Sequence, residues 1–400
     1  MVRELAIFLY LLLFKYVFFS FNLLPLKEKI TFVVSHGDNS NYVLQEVLNQ
    51  NINVEVIVLC KKNYMCLFMD YSDIIVVPFE TLNVFHWLKS IYHLSTSRHI
   101  LVDNYYGFLA AVEFKIEVQC VQLWHASGAL KKFGLEDEKI KFRSEKAKQR
   151  FIKVYSKFHK VVVGSDEMAT IFTKSFNLKE EQILITGVPR TDFFFNDIAM
   201  QKAKRKLRKK LPIIKNRKVV LYVPTYRDEE LKNYEIQLDI NKIVKELGDN
   251  YILLLRLHPA VNNSVIMSKQ FTKNVIDVSS NNYNINELLV VADYLVTDYS
   301  SVCFEFSLLQ KPMIFFTYDL EEYKQSRGVT EAFEHSIPGP IVRDTDSIIK
   351  LLHTNNFDLH AISSYSKTWN RYSNGYSSYN IVQYMFPKML STKSIGSSKR

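Results

Sequence analysis

The strongest constraint on the fold is a repeated alternation between short apolar runs and longer mixed segments, which begins after Pro25 and restarts in the second half of the chain. Short apolar runs bounded by polar loops are typical of buried strands, and the longer segments between them favour helices. A length of 400 residues also exceeds what one hydrophobic core usually organises. The pattern therefore predicts an α/β chain with two parallel sheets, each flanked by helices.

The apolar runs predict strands in both halves of the chain. In the first half the strands are residues 30–34, 54–59, 74–77, 97–102 and 118–123, with a helix at 42–50 after the first of them. In the second half they are residues 219–223, 251–257, 274–278, 294–297 and 313–316. Each predicted strand ends in a polar loop. In open α/β sheets, the loops at the carboxyl ends of the strands build the binding crevice.

Turn residues at Gly187 and Pro189 separate the two halves. We therefore expect four regions: an apolar segment at 1–26, a Rossmann-like domain at 27–186, a second Rossmann-like domain at 187–390, and a flexible, basic, serine-rich tail at 391–400. Two doubly wound domains that face each other across a cleft form a GT-B-like architecture. Such an architecture predicts one site that both domains share.

The charge balance indicates an anionic partner. Lysine and arginine number 51 against 41 acidic residues, which gives a net charge of +10 and suits nucleic acid, acidic lipid or a phosphorylated substrate. Basic residues concentrate at 139–160 and 202–210, which are either solvated helix faces or surfaces attracted to a membrane. The chain has four cysteines: Cys60, Cys66, Cys120 and Cys303. Their spacing fits neither metal ligands nor a disulfide framework, so we expect reduced thiols and no structural metal.

Residues 5–24 form an apolar stretch near the amino terminus. About twenty helical residues at ~1.5 Å each can just cross a hydrocarbon layer of ~30 Å. Lys15 near the middle of this stretch, with Ser20 and Asn22 beyond it, argues against a full span of the membrane. The stretch also lacks the small-residue cleavage site of a signal peptide. Three interpretations stay open: a membrane-associated anchor, a packing helix and a true span. In each of them the basic flank favours the cytoplasmic side for the rest of the chain.

The segment from Val296 to Glu305 joins a predicted strand to a predicted helix through small polar residues. Ser300 and Ser301 can cap that helix, whose free N–H groups and positive dipole end suit an anion. Glu305 lies four residues after Ser301, so the two project from one helix face, where a carboxylate can accept hydrogen bonds from ribose hydroxyls. The alternative is an ordinary capped helix after an ordinary strand.

Other polar side chains follow predicted strands in the same manner. His125 follows a strand in a loop of small residues, where it is placed to act as a general base. Arg256 and His258 end another strand, where they can contact a diphosphate and stabilise charge on a departing phosphate. Thr225 and Arg227 end a third. A lone histidine is more often structural, but the convergence of several polar strand ends favours a functional site.

An ordered set of motifs resembles the CDP-glycerol glycerophosphotransferases of teichoic acid synthesis. The set consists of Trp124-His125 with the residues at 131–134, then 187–192, 223–227, 256–259, 296–301, Lys311-Pro312, Tyr318-Asp319, Glu322-Tyr323, and 369–380 with Asn374-Gly375. The resemblance covers residues 30–385. Within the family, residues 103–109 and 123–129 look most like the short priming enzymes, because the polymerases more usually have glycine where this chain has Ala126.

The resemblance implies transfer of glycerol phosphate from CDP-glycerol to a hydroxyl of an undecaprenyl-diphosphate disaccharide at the cytoplasmic face of the membrane, with release of CMP. It implies His125 and His258 as the catalytic residues. The implied donor-binding residues are Arg190, Thr225, Arg227, Arg256, Asp298, Ser300, Ser301 and Glu305. The implied acceptor-binding residues are Asp103, Asn104, Trp124, Lys131 and Lys132. No cofactor is firmly expected, although Asp298 leaves a divalent cation open.

Several alternatives remain at this point. A polymerase or second-unit transferase that uses CDP-glycerol or CDP-ribitol would carry similar motifs, and a nucleotide-sugar glycosyltransferase can share the fold. A non-catalytic protein that binds a membrane surface or nucleic acid would use the positive charge alone, but such charge does not require histidines at successive strand ends. We therefore expect no nucleic-acid partner, and the sequence leaves a homo-oligomer open.

Overall fold

The computed structural model describes residues 2–225, 227, 235–258, 261, 273–280, 282–330, 333 and 336–387. The chain forms two compact units. The first unit contains Met1–Ala126, Phe133–Asp192 and Tyr372–Arg400, and the second contains Ser127–Lys132 and Phe193–Arg371. The tail expected at 391–400 lies outside the described residues.

The first unit contains a parallel sheet of seven strands. The strands are β1 (Lys27–Val34), β2 (Glu55–Cys60), β3 (Ile74–Pro78), β4 (Ser97–Val102), β5 (Gln119–Gln122), β6 (Lys160–Val163) and β7 (Ile183–Ile185). Their order across the sheet is β3-β2-β1-β4-β5-β6-β7. The order reverses between β1 and β4, so the loops after these two strands diverge and open a crevice between them.

The second unit repeats this topology with six parallel strands. They are β8 (Lys218–Val223), β9 (Tyr251–Leu255), β10 (Val275–Asp277), β11 (Tyr294–Thr297), β12 (Met313–Phe316) and β13 (Ile341–Val342). Their order is β10-β9-β8-β11-β12-β13, which reverses between β8 and β11. Both sheets therefore have the doubly wound topology that the sequence predicts.

Helices cover both sheets. Those of the first unit are α1 (Val2–Asn22), α2 (Asp38–Asn49), α3 (Val84–Thr96), α4 (Glu145–Tyr155), α5 (Asp166–Phe176) and, after the second unit, α13 (Ser377–Met385). Those of the second unit are α6 (Asp197–Lys210), α7 (Ile240–Leu247), α8 (Ile285–Val291), α9 (Val302–Ser307), α10 (Leu320–Ser326), α11 (Thr345–Thr354) and α12 (Leu359–Trp369). The apolar faces of the strands and helices form the buried cores.

The bounds of the units differ from the expected domains at 27–186 and 187–390, because the end of the chain returns to the first unit. The side chains of Ile381, Val382 and Met385 on α13 join the same core cluster as β1 and α2. The carboxylate of Asp192 accepts the N–H groups of Ser377 at 2.9 Å and Ser378 at 2.8 Å. These N–H groups belong to the first turn of α13, which has no partners of its own for them.

α1 packs on the first unit through one face and exposes apolar side chains on the other. Phe14 is fully buried, with its ring 5.2 Å from that of Phe108 and 6.0 Å from that of Trp87. Glu4 pairs with Arg150 at 3.2 Å. The large exposed side chains of α1 are Val2, Leu5, Phe8, Leu9, Tyr10, Leu12, Leu13, Tyr16 and Phe19. By length and composition this helix could cross a membrane.

Candidate functional site

In both units, most candidate side chains of the sequence lie in segments that follow the carboxyl ends of parallel strands, whereas Glu305 lies on α9. The first unit contributes the loops after β1, β4 and β5, and the second contributes those after β8, β9 and β11. β1 and β4 adjoin in one sheet, as do β8 and β11 in the other. These are the places where open α/β sheets bind ligands. Tyr226 and Pro259, which belong to the predicted motifs, lie outside the described residues.

Asp103 fixes the loop after β1. Its carboxylate is 1% exposed and accepts the backbone N–H groups of Ser35 at 2.9 Å, His36 at 2.8 Å and Gly37 at 3.0 Å. The hydroxyl of Tyr106 donates to the same carboxylate at 2.7 Å. Since buried N–H groups without partners are costly, this carboxylate determines the path of the loop. Asp103, which we expected to bind the acceptor, therefore holds the loop after β1.

His125 follows β5 and is held as a neutral imidazole. Its Nδ1 lies 3.2 Å from the carbonyl oxygen of Asp103. Because a carbonyl only accepts, we assign the ring proton to Nδ1, which leaves the lone pair on Nε2. Burial, followed by the neighbouring charge of His36, lowers the pKa of His125 to about 3. A neutral ring with a free Nε2 lone pair can take a proton from a hydroxyl.

Trp124, the neighbour of His125, has a strained backbone. Its φ of 57° lies in the left-handed region, which costs a bulky residue about 1–3 kcal/mol. The N–H of Trp124 donates to the side chain of Gln122 at 2.9 Å, and its carbonyl accepts the side-chain amide of Asn39 at 2.9 Å. Its ring lies 4.3 Å from that of His125 and 4.9 Å from that of Phe133. These contacts hold the turn that orients His125.

Arg190 also supports the loop of His125, within the first unit. Its side chain is 8% exposed, and Nη1 donates to the carbonyl oxygen of His125 at 3.1 Å. Nη2 lies 3.4 Å from the carboxylate of Asp38, and the backbone N–H of Arg190 donates to Asn39 at 3.0 Å. The sequence assigned Arg190 to donor binding, but these contacts are with the loops of the first unit.

His36 is a candidate that the sequence reasoning missed. Its ring stacks on that of His125, with centroids 4.2 Å apart and planes inclined by 22°. The side-chain amide of Asn104 lies 3.4 Å from His36 Nε2. Burial lowers the pKa of His36, although Asp103 and Asp38 oppose that shift. The strand-end argument that selected His125 would have found His36 as well, since His36 comes two residues after β1.

Asp298 has the corresponding position in the second unit. Its carboxylate is 2% exposed and follows β11. It accepts the N–H of Thr225 at 2.9 Å, the hydroxyl of Thr225 at 2.6 Å and the N–H of Tyr299 at 2.6 Å. Arg227 Nη1 donates to it at 3.1 Å. The loop after β8 is thus tied to the end of β11, as the loop after β1 is tied to the end of β4.

Arg227 is a permanent, enclosed cation. It binds the carboxylate of Asp319 with two hydrogen bonds, at 2.7 and 2.9 Å. The rings of Tyr299, Tyr318 and Tyr323 lie 5.2, 5.4 and 4.7 Å from its guanidinium carbon, within the range of cation–π attraction. Burial works against this charge, but the hydrogen bond to Asp319 and the charge of Asp298 hold the pKa above its ordinary value.

The carboxylate of Asp298 is thereby engaged by Thr225 and Arg227. Among the described residues, no group of three or more histidine, cysteine, aspartate or glutamate side chains could hold a metal ion. Asp298 therefore has no neighbouring ligand set, in the described part of the chain, for the divalent cation that the sequence left open.

Glu305 is buried, not displayed on the surface. It is 1% exposed, and Oε1 accepts the hydroxyl of Ser127 at 3.0 Å. Ser301 is the N-cap residue of α9, but its side chain makes no capping hydrogen bond, contrary to the expectation from sequence. Ser300 is partly exposed at the same turn. A carboxylate can accept several hydrogen bonds, so the bond from Ser127 does not by itself prevent contact with a ribose.

The remaining candidates lie in the second unit. Arg256 Nη1 donates to the carbonyls of Val278 at 2.6 Å and Ser280 at 2.8 Å, which ties together the loops after β9 and β10. His258 is exposed beyond the end of β9. Lys131 and Lys132 belong to the segment Ser127–Lys132, and the N–H of Lys132 donates to Gly328 at 3.3 Å. The lysines expected to bind the acceptor thus lie in the unit that carries most donor candidates.

Sequence comparison places the chain among known transferases. A family model described as CDP-glycerol:poly(glycerophosphate) glycerophosphotransferase matches residues 16–387. The teichoic acid glycerol-phosphate primase of Bacillus subtilis (strain 168) is 34% identical over 384 residues, which are 96% of this chain and 98% of that protein. The teichoic acid poly(ribitol-phosphate) polymerase of Bacillus spizizenii is 31% identical over 385 residues, which are 94% of this chain and 59% of that protein.

Solved structures confirm the predicted fold class. A variant of the wall teichoic acid polymerase TagF superimposes with a TM-score of 0.81 at 23% identity and covers 98% of this chain and 99% of that one. Together with two doubly wound parallel sheets, this likeness confirms the GT-B-like α/β class. At this identity it concerns the fold alone.

The carboxylate of Asp298 should be essential for stability. We expect Asp298→Asn to lower the free energy of unfolding by about 3 kcal/mol. The asparagine amide removes one of the two carboxylates that pair with Arg227, and its NH₂ group would face the N–H and O–H donors of Thr225 or the guanidinium of Arg227. Urea titration of the full chain measures the loss. Asp346→Asn is a matched control, because Asp346 pairs with Lys242 at an exposed position and should change stability by less than about 1 kcal/mol. Equal losses in the two variants would contradict the role of Asp298.

Proposed function

We propose a priming transfer for this chain, which belongs to the CDP-glycerol:poly(glycerophosphate) glycerophosphotransferase family. In this reaction the enzyme moves one glycerol phosphate from CDP-glycerol to a hydroxyl of a disaccharide on undecaprenyl diphosphate and releases CMP. The observation that carries the proposal is 34% identity, over 96% of the chain, to a teichoic acid glycerol-phosphate primase.

We assign the donor to the second unit. Arg256 and His258, at the end of β9, would contact its diphosphate, together with Ser300 and Ser301 after β11. Thr225 and Arg227 lie after β8, which is central in the same sheet, and Arg227, which pairs with Asp298 and Asp319, would contact the donor as part of that network. Glu305 would accept a hydrogen bond from the ribose in addition to the one from Ser127. Asp298 and Arg190 act by positioning loops in this proposal.

His125 would act as the base. Its Nε2 takes the proton of the acceptor hydroxyl while that oxygen forms a bond to the phosphorus that carries glycerol. The bond between this phosphorus and the bridging oxygen breaks, and CMP leaves with the electron pair. Positive side chains such as Arg256 stabilise the charge that develops on the leaving phosphate. An anionic diphosphate would also raise the pKa of His125 toward the range useful for proton transfer.

The acceptor would contact residues of the first unit together with Lys131 and Lys132. Trp124 stacks on His125 and Asn104 lies beside His36, and Lys131 and Lys132 supply charge suited to a lipid diphosphate. Asp103 would act indirectly, since its carboxylate already holds the loop of His36. His36 would be a positioning residue whose stacked ring keeps His125 neutral and oriented.

We further propose that α1 lies in the interface of the cytoplasmic face of the membrane. Of the three interpretations that the sequence leaves open, this one accounts for both faces of the helix: Phe14 and Phe18 pack on the protein, and the opposite face exposes apolar side chains. A helix that is apolar toward lipid on one side and packed on protein on the other is suited to lie flat. The lipid-linked acceptor would be available at that surface.

The transfer itself is tested by incubating the full chain with CDP-glycerol and a short-chain lipid disaccharide. We expect CMP to be released and mass spectrometry to find one added glycerol phosphate. A ladder of additions would favour a polymerase, and turnover with CDP-ribitol alone would favour a ribitol enzyme, as in relatives that act on ribitol phosphate. Release of a nucleoside diphosphate from a sugar donor, without CMP, would overturn the proposal.

The role of His125 predicts a separation of catalysis from donor binding. His125→Ala should lower kcat by about 10²–10⁴-fold, since it removes general base catalysis, while calorimetry should find CDP-glycerol bound with little change. His258→Ala should weaken donor binding as well. His353→Ala is the control, because His353 is exposed on α11. Full activity of purified His125→Ala would exclude His125 as the base.

The proposed positioning role of His36 is tested by the pH dependence of kcat/KM in the same assay. His36→Phe keeps a ring beside His125 but removes the second imidazole. We expect the acid limb of the kcat/KM profile to move to higher pH, because less repulsion then opposes the protonation of His125. A merely structural role would lower activity at every pH without moving that limb.

The exposed face of α1 should govern binding to vesicles. The triple variant Leu9→Gln, Leu13→Gln, Phe19→Gln removes apolar groups that are 54%, 57% and 64% exposed, so it should release the protein from vesicles of anionic phospholipid without unfolding it. The matched control is Ile116→Gln, Ile198→Gln, Leu359→Gln, which changes apolar side chains that are 99%, 80% and 51% exposed elsewhere. Equal sedimentation of the two variants with vesicles would remove α1 as the anchor.

A further inference from the structure

The second unit has a basic cavity that the proposed reaction does not use. Its volume is about 570 Å³, within the range of small-molecule sites. It is lined by residues of α6, by the segment that leads into β8, by the carboxyl end of α8 and by Asp293 just before β11. Six of these side chains are cationic: Lys204, Arg208, Lys215, Arg217, Lys218 and Lys311.

The cavity lies at the opposite end of the sheet from the donor candidates. Val219 lines it near the amino end of β8, and Asp293 lines it just before β11. Thr225 and Asp298 come after the carboxyl ends of the same two strands. With ~3.3 Å per residue, a strand such as β8 separates the two places by about 20 Å. The cavity is therefore distinct from the proposed donor site.

Two of the six cationic side chains, Lys311 and Arg217, form hydrogen bonds within the protein. Lys311 Nζ donates to the carbonyls of Val290 at 3.0 Å and Ala292 at 2.5 Å, where it stabilises the carboxyl end of α8. Arg217 donates to the side chain of Asn274 at 2.6 Å and lies 3.7 Å from the carboxylate of Asp249. These contacts give the cavity a fixed wall.

The other four cations have no counter-charge in the described part of the chain. There, the side chains of Lys204, Arg208, Lys215 and Lys218 make neither a hydrogen bond nor an ion pair with the protein. The single acidic residue that lines the cavity, Asp293, accepts the N–H of Val219 at 2.8 Å. The cavity thus concentrates positive charge that its own carboxylate does not balance.

The environment of Lys311 is consistent with this crowding. Burial lowers the pKa of Lys311 to about 8, Asp293 opposes that shift, and the charge of Lys204 adds to it. A bound anion would relieve the repulsion among these side chains.

We propose that this cavity is a second binding site, for a ligand that carries two or more phosphate groups. Lysines spread around a cavity can neutralise several phosphates at once, and the guanidinium of Arg208 can bind one of them through paired hydrogen bonds. The ligand is either a soluble oligophosphate or the head group of a lipid that carries two phosphates. The inference does not depend on the proposed transfer, because none of its six cations takes part in that reaction.

Titration calorimetry with inorganic tripolyphosphate tests the site. The cavity variant Lys215→Glu, Lys218→Glu is compared with Lys202→Glu, Lys209→Glu, which changes the net charge equally at exposed positions of α6 outside the lining. We expect the cavity variant to lose at least about tenfold in affinity and the control less than about threefold, because site-specific contacts exceed the diffuse attraction of net charge. Equal losses in both variants, or none in either, would overturn the proposal.

Chemical labelling of the unaltered protein provides a second readout that does not depend on folding of the variants. Tripolyphosphate should protect Lys204, Lys215 and Lys218 from an amine-reactive reagent, as quantified by mass spectrometry, while Lys202 and Lys209 stay reactive. Uniform protection of all five lysines would contradict a defined site.

Vesicles that contain cardiolipin distinguish the two sources of phosphate, provided that both variants also carry Leu9→Gln, Leu13→Gln and Phe19→Gln, so that α1 does not hold them to the membrane. Sedimentation that the cavity variant loses and the control variant keeps would identify a lipid head group as the ligand. Unchanged sedimentation of both variants, together with selective loss of tripolyphosphate binding in the cavity variant, would identify a soluble ligand. Either result supports a site for several phosphates.

Discussion

A buried carboxylate at the end of the fourth strand organises each unit. Asp103 follows β4 and accepts the N–H groups of the loop after β1, and Asp298 follows β11 and accepts the N–H of Thr225 after β8. In each sheet these two strands adjoin where the strand order reverses. Loops diverge at such a point and would leave buried N–H groups without partners. One carboxylate meets that need in each unit, and the candidate side chains extend from the loops that it fixes.

The two units use this arrangement with different electrostatics. In the first unit, burial keeps His36 and His125 neutral, so their rings can stack and a lone pair stays available. In the second unit, Asp298 and Asp319 enclose Arg227 and keep it charged. The first unit therefore presents neutral imidazoles because they are buried, whereas the second holds a charged guanidinium because two carboxylates pair with it.

The sequence predicted most of the fold because its strands are local apolar runs. All ten predicted strands occur, whereas β6, β7 and β13, which have four, three and two residues, were missed. The search for polar residues at strand ends found the loop of His125 but overlooked His36. The hydrogen bond between Glu305 and Ser127 could not be predicted, because residues 178 positions apart leave no local signal in the sequence. The roles assigned to the site residues stay predictions.

The return of the chain to the first unit has a consequence for biosynthesis. α13 completes the core around β1 and α2, and Asp192 binds its first turn across 185 positions of sequence. A ribosome must therefore finish the whole second unit before the first can close its core, although the first begins to emerge earlier. Until residues 377–385 arrive, the apolar surface that α13 covers stays open to chaperones or to other chains. The order of synthesis and the order of folding are thus partly reversed in this protein.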